Sequence, residues 1–333
     1  GFFYLIGFTG VYFFIHYMYA RVLGVQEGDH QIFYLAHKYF KAPLAKIISF
    51  IILAELILVL TVYLILAPTF INLVFNFGHA TAFIIFWLVS SFFIFMRLSW
   101  QAFAEVCGTF AILAMVFIIF GLGGSSSLTT ESFKSLNLAL FFLPFGPILF
   151  SLSGRPALHK LVEEYKQSKQ SGKSFSLGWA IFWGTVIPAI IYFGFVIGIL
   201  RLNPNISPET MDSLGFLPSG ILALFGVLGF LALWTSYFMV GVNVRDIIKI
   251  DLKQSKLLSG LVVLVAPALL YIAGLKNFLG TVSFTGGVFL ALESIFVIAF
   301  WRRAFPRNKF RFLATILYLI FFVALGQEII SHF

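Results

Sequence analysis

Charged residues are scarce in this chain. Asp, Glu, Lys and Arg make up 11% of its 333 residues, against about 25% in a soluble globular domain. Hydrophobic residues make up 60%, and the mean hydropathy is +1.01. So few charges could not cover the surface of a water-soluble fold of this length. We therefore expect an all-α integral membrane protein with several spanning helices.

Cysteine and catalytic motifs are also scarce or missing. Cys107 is the only cysteine, which excludes an internal disulfide and a metal centre built from several thiolates. No GxSxG, Walker A or HExxH pattern occurs, so we expect no enzymatic activity and no resident cofactor. The 44 Phe residues are spread through apolar runs without interleaved basic residues. That distribution favours contact with the lipid bilayer over nucleic-acid binding.

Long apolar runs divide the chain into candidate spans. A spanning helix needs about 20 apolar residues, with a range of roughly 17 to 25. By this rule we predict about ten spans in a single polytopic domain. They are Phe2–Val22, Leu44–Phe75, Ala80–Met96, Phe103–Leu122, Leu136–Leu152, Leu177–Leu200, Ile221–Val244, Leu257–Ile272, Val282–Trp301 and Phe312–Ile330.

Basic residues are distributed unequally between the two ends of these spans. When the spans are threaded in order, all of the 22 Lys and Arg except Lys134, Arg201 and Lys276 fall on one side. Because cytoplasmic loops retain Lys and Arg, we predict that this side is cytoplasmic and that the protein lies in the cell membrane. The predicted cytoplasmic loops are 21–46, 155–173, 245–256 and 302–311.

The beginning of the sequence is unusual for this orientation. The sequence starts at Gly1 rather than Met, and no basic segment precedes Phe2–Val22, so this run does not resemble a signal peptide. The predicted orientation places Gly1 outside the cell. One further spanning helix before Gly1 would return the N-terminus to the cytoplasm, and we expect such a helix.

The span Leu136–Leu152 differs from the others because Pro144, Gly146 and Pro147 interrupt it, and the segment SLSGRP follows. A helix loses a backbone hydrogen bond and gains a clash at each internal proline. Backbone groups freed at membrane depth must be satisfied by protein, water or a ligand. We predict a broken helix over 144–156 that forms a binding site. The alternative is a proline-kinked spanning helix without a ligand.

Two acidic residues lie well inside predicted spans. Glu55 is found in the run IILAELILVL and Glu293 in VFLALESIFVIAF. An ionisable residue inside a span is a functional candidate by default. Either glutamate could be a proton-coupling carboxylate, or a carboxylate hydrogen-bonded between packed helices. His16 in the first span could relay protons or pack across a helix interface.

Thr235 and Ser236 are adjacent hydroxyl residues in the middle of the span Ile221–Val244. Oxygen donors of this kind could ligate Na⁺. The alternative is that each hydroxyl bonds to a carbonyl of its own helix, and spacing alone favours this second interpretation. Both residues are therefore ion-coupling candidates, with Na⁺ or H⁺ as the coupling ion.

Four longer segments share their order and spacing with a known family of transporters. The segments are IHYMYARVLGVQEGDHQIFYLAHKYFK, LPFGPILFSLSGRPALHKLVEE, LWTSYFMVGVNVRD and VAPALLYIAGLKNFLGTVSFTGG. They resemble, in turn, the second, the sixth, the eighth and the ninth-to-tenth helices of one branch of the amino acid–polyamine–organocation superfamily. This branch comprises the amino acid/auxin permeases and the aromatic amino acid permeases.

The resemblance implies a leucine-transporter-like fold with two inverted five-helix repeats. The rest of the first repeat would lie in 1–122, the second repeat in 136–301 and an extra helix in 312–333. The family's first helix would then be missing, because it would lie before Gly1. This register agrees with the orientation that the basic residues predict.

The resemblance also assigns candidate binding residues. The family's eighth-helix hydroxyls, near a sodium site in sodium-coupled members, would fall on Thr235 and Ser236. The unwound part of its sixth helix would face the amino group of a substrate. That part would fall on Phe150, Ser151, Leu152, Ser153 and Gly154.

Taken together, these patterns predict a secondary active transporter of amino acids. It would be coupled to H⁺ or Na⁺ and would work by alternating access around the broken helix. The alternative is a non-transporting membrane protein, either an amino acid sensor or a structural scaffold. An apolar segment with mid-span glycines encoded upstream of Gly1 would favour the transporter.

Overall fold

The computed structural model describes residues 2–26, 32–95, 98–123, 141–173, 175–203 and 211–332. Within these ranges the regular secondary structure is helical, and no β-strand occurs there. The expectation of an all-α protein is therefore confirmed.

Thirteen α-helices account for most of the described chain. In order they are α1 (Phe2–Gly24), α2 (Ile32–Tyr39), α3 (Ala42–Phe75), α4 (His79–Phe93), α5 (Leu98–Leu122), α6 (Phe145–Leu152), α7 (Arg155–Gln170), α8 (Leu177–Leu202), α9 (Ser219–Ile250), α10 (Lys256–Ile272), α11 (Phe278–Phe284), α12 (Ala291–Ala304) and α13 (Arg311–His332). A π-helical segment, Thr285–Leu290, joins α11 to α12.

Several of these helices are long and apolar enough to cross a membrane. In the part of the chain that the structure describes there are seven: Phe2–Gly24, Ala42–Phe75, Phe103–Leu122, Leu177–Leu202, Ser219–Ile250, Phe278–Ala304 and Arg311–Ile330. The helices α4 and α10 are apolar but shorter. This set is compatible with a multi-pass membrane protein, whereas the number of crossings, the inverted repeat and the sidedness of the loops stay predictions.

The predicted spans other than Leu136–Leu152 each coincide with one α-helix, with ends that differ by a few residues, except that Val282–Trp301 covers the end of α11, the π-helical segment and most of α12. The largest extension is at the end of α9, which continues from Val244 to Ile250. Arg245 and Asp246 end the apolar run there, but charged side chains do not end a helix.

The span Leu136–Leu152 is not one continuous spanning helix in its described part. Residues 136–140 lie outside the described residues, and α6 contains only eight residues. At 1.5 Å per residue, a helix of that length covers only about 12 Å of a core that is about 30 Å thick. Pro144 and Pro147 explain where α6 begins, because proline fits the first turn of a helix and is excluded from its interior.

The helix break lies at Ser153 and Gly154, between α6 and α7. Ser153 is extended, with φ −66° and ψ 114°, and Gly154 has φ −131° and ψ 14°. Pro156 lacks the N–H that a continuous helix would pair with Leu152, and its ring would clash with that carbonyl. Helix α7 begins directly after the break, and its apolar face buries Leu158 and Val162.

The chain divides into two compact units. The first contains Gly1–Glu55, Asn137–Ile190 and Val282–Phe333, and the second contains Leu56–Leu136 and Ile191–Thr281. In the first unit, α1 packs on α6, α7 and α12, and α13 packs on α12. In the second unit, α9 packs on α4, α5 and α10.

A close backbone approach places α6 against the π-helical segment. A Cβ atom added to Gly286 would fall on the carbonyl group of Gly146, and one added to Gly146 would fall on the backbone of Ser283. Glycine is therefore required on both sides of this contact. The contact fixes α6, and with it the break that follows, against the helix that carries Glu293.

Candidate functional site

Arg155 is the first residue of α7 and lies directly after the helix break. Its fractional exposure is 4%. The sequence predicts this residue at the end of the broken helix 144–156 and at the start of a basic loop, and the structure shows that its side chain is buried. A lone basic residue beside a break can be buried when acidic side chains reach it from other helices, which is what the structure shows.

Both predicted acidic residues contact the guanidinium group of Arg155. Its Nη2 donates to Oε2 of Glu55 at 3.3 Å, and its Nε lies 2.7 Å from Oε1 of Glu293. Glu55 is 2% exposed and Glu293 is 6% exposed. We call these three side chains, from α3, α7 and α12, the charge cluster.

The charge cluster contains two acids and one base. The carboxyl groups of Glu55 and Glu293 have this one guanidinium group as their common partner. Transfer of charged groups from water into a buried site costs free energy. Ion pairing offsets this cost only if each charge is paired with good geometry. One acid in the cluster is therefore not balanced by a basic group of the cluster.

Helix α1 adds polar aromatic side chains to this region. Tyr12 is buried, and it lines the same small cavity as Ser294 of α12. Tyr19 is also buried, and it interacts electrostatically with Arg155. His16 lies between them on the same face of the helix. The three positions follow a spacing of four and then three residues, which is the repeat of one helical face.

The hydrogen bonds of His16 fix its tautomer. Its Nδ1 lies 3.1 Å from the hydroxyl oxygen of Thr185, and that hydroxyl donates to the carbonyl of Ile181 at 2.9 Å. Because the only hydroxyl hydrogen of Thr185 is used there, Nδ1 of His16 must be the donor. Its Nε2 is then an acceptor, and it has no hydrogen-bond partner among the described residues. This histidine is packed across a helix interface, as one of the two sequence interpretations expects.

A small cavity of about 10 Å³ adjoins the charge cluster. Tyr12, His16, Ser153, Arg155 and Glu293 contribute to its wall. A cavity of this size holds about one water molecule. Such a water could donate to Nε2 of His16, but an amino acid does not fit into this space unless the surrounding helices move.

The predicted substrate-binding residues lie on both sides of the end of α6. Phe150 is half-buried, Leu152 is buried, and the Ser151 hydroxyl donates to the Ile148 carbonyl at 3.0 Å. These three form the last turn of the helix. Ser153 and Gly154 form the break itself.

Only the two break residues approach the cavity. Ser153 lines it, and a Cβ atom added to Gly154 would lie 3.5 Å from Cε1 of His16. The structure therefore brings Ser153, Gly154, Glu55 and Glu293 together in the first unit. The role of these residues in binding a substrate stays a prediction.

The predicted Thr235–Ser236 pair belongs to the second unit. The Thr235 hydroxyl donates to the carbonyl of Ala232 at 3.0 Å, and the side chain of Ser236 hydrogen-bonds Tyr63. The first contact is the intrahelical bond that the sequence favours for these residues. Their coupling role stays a prediction, and nothing in the two contacts singles out Na⁺.

Sequence reasoning does not name Arg155, Tyr12 or Tyr19 as site residues, although Arg155 lies within the predicted broken helix 144–156. A signal for the tyrosines is present, because they flank His16 on one face of α1. A weaker signal for Arg155 is its position directly after a Ser-Gly break, separated by four residues from the next basic side chain, Lys160. Its partners could not be found locally, because they lie a hundred or more residues away in the sequence.

The sequence matches no protein-family model and no curated protein. The family resemblance therefore rests on the four segments quoted above.

Proposed function

We propose that the protein is a secondary active transporter that carries amino acids across the cell membrane and is driven by a gradient of H⁺ or Na⁺. The proposal retains the resemblance to the amino acid/auxin and aromatic amino acid permeases. It also retains the predicted orientation, with the basic loops in the cytoplasm, which the charge asymmetry supports.

One observation carries this function: ionisable side chains are buried at a helix break, in a protein whose described residues include seven long apolar helices. Charged residues in membrane-spanning regions are expensive and are usually retained for transport or proton transfer. Interrupted helices at membrane depth form the substrate and ion sites of many secondary transporters. In this protein the break at Ser153 and Gly154 directly precedes Arg155. The interrupted helix and the buried ionisable side chains are therefore adjacent.

The chemistry of the site suits a zwitterion. A guanidinium group can bind a carboxylate, and a carboxylate or the Nε2 acceptor of His16 can bind an ammonium group. The present cavity holds about one water molecule, so substrate binding requires the break to open. Because Ser153 and Gly154 lie outside both helices, rotation there can separate α6 from α7 without breaking a helical turn.

Uptake by proteoliposomes tests this function. Purified protein is reconstituted, a mixture of radiolabelled amino acids is added outside, and pH and Na⁺ gradients are imposed separately. Accumulation that requires one of the gradients supports the transporter and identifies the coupling ion. No accumulation under either gradient by folded, reconstituted protein contradicts it.

A pair of serine variants links uptake to the break. Ser153→Phe places a large ring at the wall of the cavity and should abolish uptake. Ser171→Phe introduces the same ring at an exposed position at the end of α7 and should leave uptake unchanged. Equal uptake by both variants would show that the break is not on the substrate pathway.

The small cavity favours a second candidate, a non-transporting membrane sensor or scaffold. In that protein the charge cluster would be a permanent connection between α3, α7 and α12, and the break would never open. Binding of an amino acid without accumulation in proteoliposomes would support a sensor, and neither binding nor uptake would support a scaffold.

A further inference from the structure

We infer that Glu55 and Glu293 share one proton, so that together with Arg155 they form an electrically neutral site that binds and releases a single proton. The proton site depends only on the geometry of the charge cluster. The use of this proton as the coupling ion, in place of Na⁺, rests on the proposed transport function.

The geometry brings both carboxyl groups to the same cation. Arg155 reaches Glu55 through Nη2 and Glu293 through Nε, and these two nitrogens belong to one planar guanidinium group. The two carboxyl groups are consequently held close together, with Arg155 as their common partner. Two carboxylates held this close in a site shielded from water cannot both be ionised without strong repulsion, so one proton held between them is favoured.

The charge balance leads to the same conclusion. With both acids ionised the cluster would carry one net negative charge, at positions that are at most 6% exposed. A buried charge without a partner is far more costly than a neutral hydrogen-bonded group. One proton makes the cluster neutral, and it also supplies the donor for a carboxyl–carboxylate hydrogen bond.

The neighbouring groups do not replace this proton. From α1, Tyr12 and Tyr19 line the adjoining cavity, and a phenol side chain offers no positive charge that could take the place of the proton. His16 also lines this cavity, but a second N–H on that ring would be buried without an acceptor among the described residues. From α13, Glu328 lies against Gly287 and could only add a negative charge.

A sodium ion fits the same place poorly. The guanidinium group of Arg155 already occupies the position that faces both acids, so a metal ion would lie beside a fixed positive charge. The adjoining cavity holds about one water molecule. A proton needs no such space, because it binds to a carboxyl oxygen that is already in the cluster.

Infrared spectroscopy of the purified full chain in lipid nanodiscs tests this site without any transport assay. A protonated carboxyl group has a C=O stretching band that is separate from the carboxylate bands and shifts in D₂O. At neutral pH we expect such a band in the wild-type protein. Glu55→Gln and Glu293→Gln should each abolish it, because one acid paired with Arg155 needs no proton.

Glu328→Gln is the matched control, because Glu328 is also a buried glutamate in a helix of the same unit. It should leave the band of the charge cluster in place. Arg155→Gln removes the cation, so both acids should become protonated and the band should grow about twofold. If the cluster variants do not fold, the Glu328→Gln protein alone decides, since its band at neutral pH should correspond to one carboxyl group per chain.

Two results would overturn the shared proton. One is the absence of a protonated carboxyl band at neutral pH in the wild-type protein. The other is a band that only one of the two cluster variants removes, since that proton would belong to a single isolated carboxyl group. A protein with the band but without gradient-driven uptake would keep its proton site and lose the proposed function, so the two failures are distinguishable.

Discussion

The helix break of the first unit and the Thr235–Ser236 pair of the second unit satisfy buried polar groups in different ways. Thr235 bonds to a carbonyl of its own helix, and α9 continues without interruption from Ser219 to Ile250. Arg155, in contrast, lies at a break and is paired with acids from two other helices. A short hydroxyl side chain can be satisfied locally, whereas a buried charge needs partners from elsewhere in the fold. Removal of a charge in the first region should therefore have a larger effect than removal of a hydroxyl in the second.

The largest expected effect is that of Arg155→Leu. This change leaves two carboxyl groups in a buried site without a cation, and removal of one partner from such a site typically costs about 3–5 kcal/mol. We expect a marked fall in the midpoint of thermal unfolding in detergent. Lys169→Leu, at an exposed position on the same helix, is the control and should change the unfolding free energy by less than about 0.5 kcal/mol. Equal effects of the two variants would show that the cluster does not contribute to stability.

The next effect is the coupling between the two acids. Glu55→Gln and Glu293→Gln each leave Arg155 one carboxylate, so each single variant should be tolerated. The double variant leaves a buried cation alone and should lose about 2 kcal/mol more than the sum of the single changes. The same unfolding assay gives this double-mutant cycle. Additive effects would mean that the acids do not share Arg155.

A pair of glycine variants extends the comparison to backbone contacts. Gly286→Ala would place a Cβ atom on the Gly146 carbonyl, whereas Gly108→Ala in the second unit would meet the side chain of Thr235. Backbone yields less readily than a side chain, so we expect Gly286→Ala to cost about 1–2 kcal/mol and Gly108→Ala to cost less. Gly326→Ala meets nothing within 4 Å and should be neutral or stabilising in a helix. If Gly286→Ala unfolds at the same temperature as Gly326→Ala, the close approach of α6 is not required.

The smallest effect is expected for Thr235→Val. The lost hydroxyl contributes one hydrogen bond to its own helix, with a net value of about 0.5–1.5 kcal/mol at most. Uptake by this variant should retain its ion dependence if a proton is the coupling ion. Loss of a sodium requirement in this variant alone would instead favour a sodium site in the second unit.

Local sequence patterns predict the helices of this protein better than they predict its candidate site. Apolar runs locate α1, α3, α8 and α13, because a lipid-facing helix must be apolar over most of its length. Pro156 locates the break, because proline cannot continue a helix from Leu152. Local sequence patterns predict these helices and this break, but not the contacts between helices.

The charge cluster could not be predicted in the same way. Glu55, Arg155 and Glu293 come from three helices that are distant in sequence, and their pairing depends on how these helices pack. The periodicity of apolar residues along a helix predicts which residues are buried. It does not predict which side chains of different helices contact each other. The distribution of Lys and Arg between the two sides of the spans does not single out Arg155. One buried arginine among several basic loop residues hardly changes that distribution.

The most direct test of the account is uptake of radiolabelled amino acids by proteoliposomes under an imposed pH gradient, with wild-type protein, Glu293→Gln and Glu328→Gln compared at equal amounts of folded protein. We predict that the wild type and Glu328→Gln accumulate substrate and that Glu293→Gln does not respond to the gradient. Gradient-driven accumulation by Glu293→Gln equal to that of the wild type, or no accumulation by any of the three proteins, would contradict the account.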